Sequence, residues 1–432
     1  MTESKGVVTS GTFTPRAPRT VKDTGLNIGF LTDLALKILY FESYLAGRAL
    51  ADKMALPFAG VVDQVLDFLK RERLCEVRGA GGGGGLSEST YEYVLTARGR
   101  EMARDALDRS QYAGPAPIPL AVYNDSVLQQ GLKEVTVHQR QLRQALANLV
   151  INERTFEQIG PAVNSGRSIF LFGNPGNGKT SIAEAIGSLL MEGDIYMPYA
   201  VEVEGQIIKV FDNVNHVLVS SDGTTPHGAD PRWLRVRRPF IVVGGELTLE
   251  GLDLVYDLNN KYYEAPFQMK ANGGLLLIDD FGRQQVRPRD LLNRWIVPLE
   301  KRLDFLTLHT GRKIEIPFEV LIVFSTNLAP KDLVDEAFLR RIRHKIEVGD
   351  PDWNGYREIF KRVCLHKSIP WDDRGLAYLI QEHYIKASRV PRACHARDLL
   401  DQIIDISGYL NVPPTLSKEL IDRAADSYFV EL

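Results

Sequence analysis

Ser168–Phe172 is a short apolar run that leads directly into Gly173-Asn174-Pro175-Gly176-Asn177-Gly178-Lys179-Thr180, and helical spacing follows to about Met191. The octet reads G-x-x-x-x-G-K-T in a strand–loop–helix setting, which few folds accept. Phosphates need a concave ring of backbone N–H groups. Side chains would block that ring, so glycines line it, and the following helix adds the positive end of its dipole. Lys179 is placed to reach the β- and γ-phosphates of a nucleotide, and the Thr180 hydroxyl to ligate Mg²⁺. Gly173, Asn174, Pro175, Gly176, Asn177, Gly178, Lys179, Thr180 and Ser181 are therefore the candidate nucleotide-binding residues, with ATP and Mg²⁺ as the expected ligands.

Such a loop requires a second element, a buried strand that ends in acid. Leu275-Leu276-Leu277-Ile278-Asp279-Asp280 supplies it. An aliphatic quartet reads as a central strand, and carboxylates at its tip are costly unless a cation offsets them. Asp279 is the expected metal residue, and Asp280 the residue that polarises an attacking water. A third strand, Val320–Phe324, runs into Ser325-Thr326-Asn327, where a neutral amide is placed to orient water or touch the γ-phosphate.

At roughly 150 residues per domain, 432 residues predict two to three domains. Residues 1–25 are polar and aperiodic and read as a disordered tail. Residues 26–111 carry helical spacing over Phe30–Tyr40, Leu45–Met54 and Val61–Leu69. A hairpin follows, formed by Leu74–Val77 and Tyr91–Thr96 around the glycine run 81–85, and a charged helix near Arg98–Leu107 closes the unit. Three helices and a hairpin resemble a winged-helix domain. Residues 112–124, with Pro115, Pro117 and Pro119, read as a semi-rigid linker, and Asp125 is placed to cap a helix. Residues 125–350 alternate short apolar runs with helical spacing, the pattern of a parallel α/β sheet, and 351–432 are helical only.

The three strand tips, in this order, resemble the AAA+ ATPases with their Walker A, Walker B and sensor 1 motifs, over about Asp125 to Ser427. The resemblance implies an α/β core of a parallel sheet between helices, an all-α C-terminal lid, and ATP hydrolysis. Asp335-Glu336-Ala337-Phe338-Leu339-Arg340-Arg341-Ile342 looks like the segment carrying the family's arginine finger. That implies a role in trans for Arg341, or secondarily Arg340, and hence a homo-oligomer, a hexameric ring or a helix. Ala396-Arg397-Asp398-Leu399-Leu400 looks like sensor 2, which makes Arg397 a phosphate ligand in cis. Residues 304–317, with a turn at Thr310-Gly311-Arg312, look like a pre-sensor-1 hairpin. Residues 192–270 look like a long helix-2 insertion, with a β-rich part at Ala200–Val219 and a helix-like part at Glu250–Tyr262. Phe267–Gly274 resembles the approach to Walker B in MoxR-type ATPases and σ54 activators. The nearest group by resemblance is the bacterial ATPases with chaperone activity associated with Flp pilus assembly. No GAFTGA-like loop of the σ54 activators is found. The family usually has Glu after the Walker B aspartate; Asp280 is one methylene shorter, which implies slow hydrolysis or a closer water.

Composition narrows the setting. Hydrophobic residues make up 44% and charged residues 25%, as in ordinary globular chains. No apolar window is long enough to span a membrane, and the N-terminus has no signal-peptide pattern, so a cytoplasmic protein is expected. Three cysteines are too few for a disulfide framework. Net charge is −3, and residues 27–111 hold 11 basic against 12 acidic side chains. Asp63 and Asp67 lie on the helix that would read DNA, where they would repel phosphates. The expected action is therefore on a protein partner, with DNA the disfavoured one, despite a local cluster of Lys70, Arg71, Arg73 and Arg78.

Overall fold

The computed structural model describes residues 8–9, 13–80, 88–219, 228–333 and 339–429. Helix α1 (Ile28–Glu42) starts where the Asn27 side chain accepts the Phe30 amide at 2.7 Å, satisfying a donor that a helix start leaves unpaired. Then come β1 (Tyr44–Ala46), α2 (Gly47–Met54), α3 (Asp63–Arg71), β2 (Cys75–Ala80), β3 (Tyr91–Leu95) and α4 (Ala97–Arg109). The strands form an antiparallel sheet in the order β1-β3-β2. Leu45, expected at the start of the second helix, is instead sheet and pairs with Tyr93. The glycine run 81–85 lies outside the described residues. Leu31, Leu34, Leu50, Val65, Leu69 and Tyr93 close the core of this unit.

Two expectations for the N-terminal third do not hold. Residues 13–25 are not a free tail: the Ala17 amide donates to Gly228 O at 2.9 Å and the Asp230 amide to Pro15 O at 2.9 Å. The Arg19 carbonyl lies where a Cβ on Gly60 would be, 2.2 Å away, so this arm covers the turn before α3. Residues 112–124 are not a linker either. The Ala116 amide bonds Met54 O at 2.7 Å, and Tyr112, Ala116 and Ile118 are buried. Here β4 (Ile118–Pro119) pairs with the insertion, and α5 (Leu120–Gln129) begins five residues before Asp125. Prolines fix the backbone, but the apolar residues between them decide whether it is covered.

The centre of the chain is a five-stranded parallel sheet. Its first strand, β5 (Ser168–Phe172), leads into α6 (Lys179–Leu190). Next are β6 (Asp194–Pro198), β7 (Ala200–Val203), β8 (Gln206–Lys209), β9 (Trp233–Arg237), β10 (Phe240–Val243), β11 (Val255–Asp257), β12 (Tyr262–Glu264) and β13 (Leu275–Ile278). Then follow β14 (Leu303–Thr307), β15 (Lys313–Pro317), β16 (Leu321–Thr326) and β17 (His344–Glu347). The central order is β10-β13-β16-β5-β17. Strands β13 and β16 are buried along their whole length, as sheets covered on both faces require. Helices α7 (Trp353–His366), α8 (Asp373–Leu379), α9 (Ala393–Leu410) and α10 (Lys418–Tyr428) form the C-terminal part around their own core. The α/β class, with a parallel sheet between helices and an all-α C-terminal part, is the fold observed. No helix among the described residues is long and apolar enough to cross a membrane.

The segment 192–270 is not one insertion, because β10 within it is an edge strand of the central sheet. What is added falls before and after β10. It builds a second sheet in the order β11-β12-β8-β7-β4 and the antiparallel pair β6/β9. Glu250–Tyr262, expected as helix, holds one short 3-10 turn and then β11. Leu252, Leu254 and Tyr256 alternate with polar or exposed neighbours, and that period of two prevails. The hairpin β14/β15 turns at Gly311, whose φ is +83°. Leu306, Leu308, Ile314 and Ile316 of this hairpin share a core with Val201, Val203 and Tyr263 of the added sheet.

Arg232, buried beside Asp230 just before β9, ties this part of the chain to the N-terminal residues. Arg232 and Asp230 meet at 2.8 Å with side-chain exposures of 5% and 3%. Arg232 also donates to Thr24 O at 2.9 Å and Pro117 O at 3.4 Å. Asp230→Ala leaves that guanidinium uncompensated, and a loss of about 3–5 kcal/mol is expected in urea unfolding of the full chain.

Candidate functional site

The loop 173–178 lies between the C-terminal end of β5 and the start of α6, where a parallel sheet presents ligands. Gly173 has φ +141°, and Val348 O lies 2.3 Å from where its Cβ would be. Gly176 has φ +84°, with Cys394 Sγ at 2.2 Å from the same position. Each spot takes only glycine. Lys179 Nζ donates to Gly173 O at 3.0 Å, Asn174 O at 2.8 Å and Asn327 Oδ1 at 2.7 Å. Its ammonium thus bridges the loop and the tip of β16. Burial, the largest influence, lowers its pKa, while Asp279 and Asp280 pull the other way.

Thr180 Oγ1 donates to the Asp279 carboxylate, 3.0 and 3.2 Å from its two oxygens. A hydroxyl and a carboxylate facing each other are the oxygen donors that a hard cation such as Mg²⁺ takes, so the residues fit that ion. Asp280 sits in the left-handed region at φ +48°, a conformation Asp tolerates better than most residues. Its Oδ1 is 3.4 Å from Asn327 Nδ2. The strand tips therefore bring Lys179, Thr180, Asp279, Asp280 and Asn327 together.

The cleft they border has a volume of about 540 Å³. Pro175, Gly176, Asn177, Gly178 and Ser181 line it, and so does Arg397 on α9, whose Nε is 3.1 Å from Asp398. Arg340 and Arg341 are elsewhere. Ser168 Oγ, at the start of β5, bonds Arg341 O, while the glycine loop lies beyond the far end of that strand. A five-residue strand makes the separation about 16 Å. Arg341 pairs with Glu300, and both arginines line a different cavity with Arg167, Arg302, Arg343 and Lys345. Asp335–Phe338 of the same segment lie outside the described residues.

The sequence reading missed several cleft residues. Leu149, Val150 and Ile151 come from the loop before Asn152, and Ile359 and Val363 face them from α7. Together they make an apolar wall suited to a flat base. Arg283 and Arg362 line the cleft as well. An apolar triplet in a loop gives no periodic signal, and its partners lie some 200 positions away in the chain.

No curated protein matches the chain. A family profile described as a domain of unknown function (DUF8689) matches residues 352–427, the helical C-terminal part. Among solved structures, NtrX from Brucella abortus is similar at 16% identity and TM-score 0.37, over 65% of this chain and 52% of its own. The chain thus spans about half the length of that NtrX chain. NtrX in complex with ATP is similar at 14% identity and TM-score 0.36, over 77% of this chain and 63% of its own. A Thermotoga maritima RuvB, described as a Holliday junction branch migration motor, is similar at 14% identity and TM-score 0.36, over 65% of this chain and 71% of its own. These likenesses are distant and carry no argument about function; the geometry of the cleft does.

Proposed function

We propose that the chain is an oligomeric AAA+ ATPase that couples ATP binding and hydrolysis to the remodelling or assembly of a protein partner. The observation that carries this reading is the convergence of Lys179, Thr180, Asp279 and Asn327 on one cleft beside the glycine loop. The base would lie against Leu149–Ile151 and Val363. Phosphates would take the loop amides and the Lys179 ammonium, which would exchange its carbonyl partners for phosphate oxygens. Thr180 and Asp279 would hold Mg²⁺, which when bound supplies charge neutralisation at the phosphates. Asp280 would accept the proton of the attacking water, and Asn327 would orient that water. Arg397 would leave Asp398 for phosphate as the lid closes.

The distance of Arg341 from its own loop supports a role at a neighbour's cleft. Arg341→Ala should then abolish turnover alone and regain part of it when mixed with a Lys179→Ala chain, since an interface whose cleft comes from the Arg341→Ala chain and whose arginine comes from the Lys179→Ala chain keeps both residues. Phosphate release and sedimentation of the purified full chain test the whole reading. Absence of nucleotide binding, turnover and nucleotide-dependent assembly would sink it.

A second reading, nucleotide-gated assembly with slow hydrolysis, is favoured by the short Asp280 carboxylate. Taking residues 26–111 as a winged helix rests on their element order, and two contacts favour protein over DNA as its partner. Lys70 is held by Asp67 at 2.7 Å and Glu88 at 3.0 Å, which leaves its ammonium less free to meet a phosphate. Mixing with duplex DNA should give no binding that falls steeply with salt.

A further inference from the structure

The glycine loop carries two asparagines, and both are held by one carboxylate outside it. Asn177 Nδ2 donates to Asp350 Oδ1 at 2.7 Å, and Asn174 Nδ2 to Asp350 Oδ2 at 2.8 Å. Asp350 lies three residues past the end of β17, on the stretch that leads into the helical part, two positions ahead of Asp352, which caps α7. The loop is bonded on its other side to α9. Asn177 Oδ1 accepts the Ala393 amide at 3.3 Å, and Gly176 O accepts the Cys394 amide at 2.8 Å. Asn177 is buried, and its one amide group spans the gap between hinge and helix. Arg397 lies one helical turn beyond Ala393 on the same helix.

We propose that Asp350 is a positioning residue that latches the phosphate loop to the hinge of the helical lid, so that the loop's shape and the placement of α9 are set together. The proposal rests on the nucleotide-site reading above. A carboxylate suits this position because two amide donors need two acceptor oxygens in a fixed fork, and the Asp350 side chain offers one to each. Asn in its place keeps the size but has one carbonyl oxygen, so one donor is lost. Asp350 lines a neighbouring cavity that shares Val150, Ile151 and Asn177 with the base cleft, away from the metal pair, and its removal acts through Asn177 and the loop. The first two amides of α9 then lose the geometry of their acceptors, and Arg397 loses its bearing on the phosphates.

The test uses the full chain with Asp350→Asn and Asp350→Ala, read by amide hydrogen exchange at 393–394 and by titration with a fluorescent ATP analogue and its ADP counterpart. Faster exchange at 393–394 by about tenfold or more in Asp350→Ala, a smaller effect in Asp350→Asn, and nucleotide affinities weakened by about tenfold are expected, with the turnover number at saturation changed far less than KM. Unchanged exchange at 393–394 in both variants overturns the latch. So does unchanged nucleotide affinity in both while the wild type binds. If the wild type binds no nucleotide, the site reading fails, and the latch is still decided by the exchange at 393–394. Asn177→Asp, which places a carboxylate against Asp350, provides the independent variant and should reproduce the exchange defect.

Discussion

Lys179→Ala should abolish ATP turnover, with kcat/KM reduced by at least about 10²-fold and the fold intact. The ammonium reaches three oxygens, two on the loop and one on Asn327, so it ties the tip of β5 to the tip of β16. With its charge gone, the loop amides and the helix dipole remain, but residues 173–181 hold no other cationic side chain to oppose the negative charge that would grow on the transferred phosphoryl group. Burial lowers the pKa of this amine, which makes the site ready to trade weak carbonyl partners for an anion. Thermal melting with and without ADP checks the binding half, since a ligand that binds the folded chain raises its stability by an amount that grows with the logarithm of its affinity. A mutant that keeps wild-type phosphate release would remove Lys179 from the chemistry.

Asp280 gives the second large effect, and a graded one. Asp280→Asn should leave nucleotide binding close to wild type and lower single-turnover hydrolysis by about 10²–10⁴-fold, the range for loss of a proton acceptor. Asp280→Glu extends the carboxylate by one methylene toward the water and should hydrolyse at least as fast as the wild type. The backbone there is left-handed, φ +48°, where Asp and Asn are tolerated better than Glu. The Glu variant should therefore melt slightly lower while turning over at least as fast. Equal rates for all three chains would show that the water is oriented by another group, with Asn327 the next candidate.

Much of this site is legible in the sequence because its chemistry lies within short stretches of chain. Ser168–Ser181, Leu275–Asp280 and Val320–Asn327 each carry a strand and its tip, and the parallel sheet brings those tips together. What is not legible depends on contacts between distant positions. Phe240–Val243 is too short to mark itself as an edge strand within an 80-residue stretch, so that stretch reads as one block. Residues 112–119 have the prolines of a spacer, and only the placing of Tyr112, Ala116 and Ile118 against other elements reveals their burial. Glu250–Tyr262 has apolar residues at spacings that serve helix and strand alike, and cross-strand pairing of β11 with β12 decides between them. Asp350 and the apolar wall of Leu149–Ile151 acquire meaning only when the helical part folds back over the loop.

The burial of 112–119 has a consequence for taking the chain apart. These residues form mortar between the N-terminal unit and the added sheet: the Ala116 amide bonds back to Met54 O, Ile118 pairs forward with Val201, and Arg232 reaches the carbonyls of Thr24 and of Pro117 within the seam. A cut at residue 111 would not release a ready-made module. It would strip a face from each fragment and leave apolar residues of both in water. The N-terminal unit and the added sheet are therefore one body, and a fragment meant to keep either must carry both.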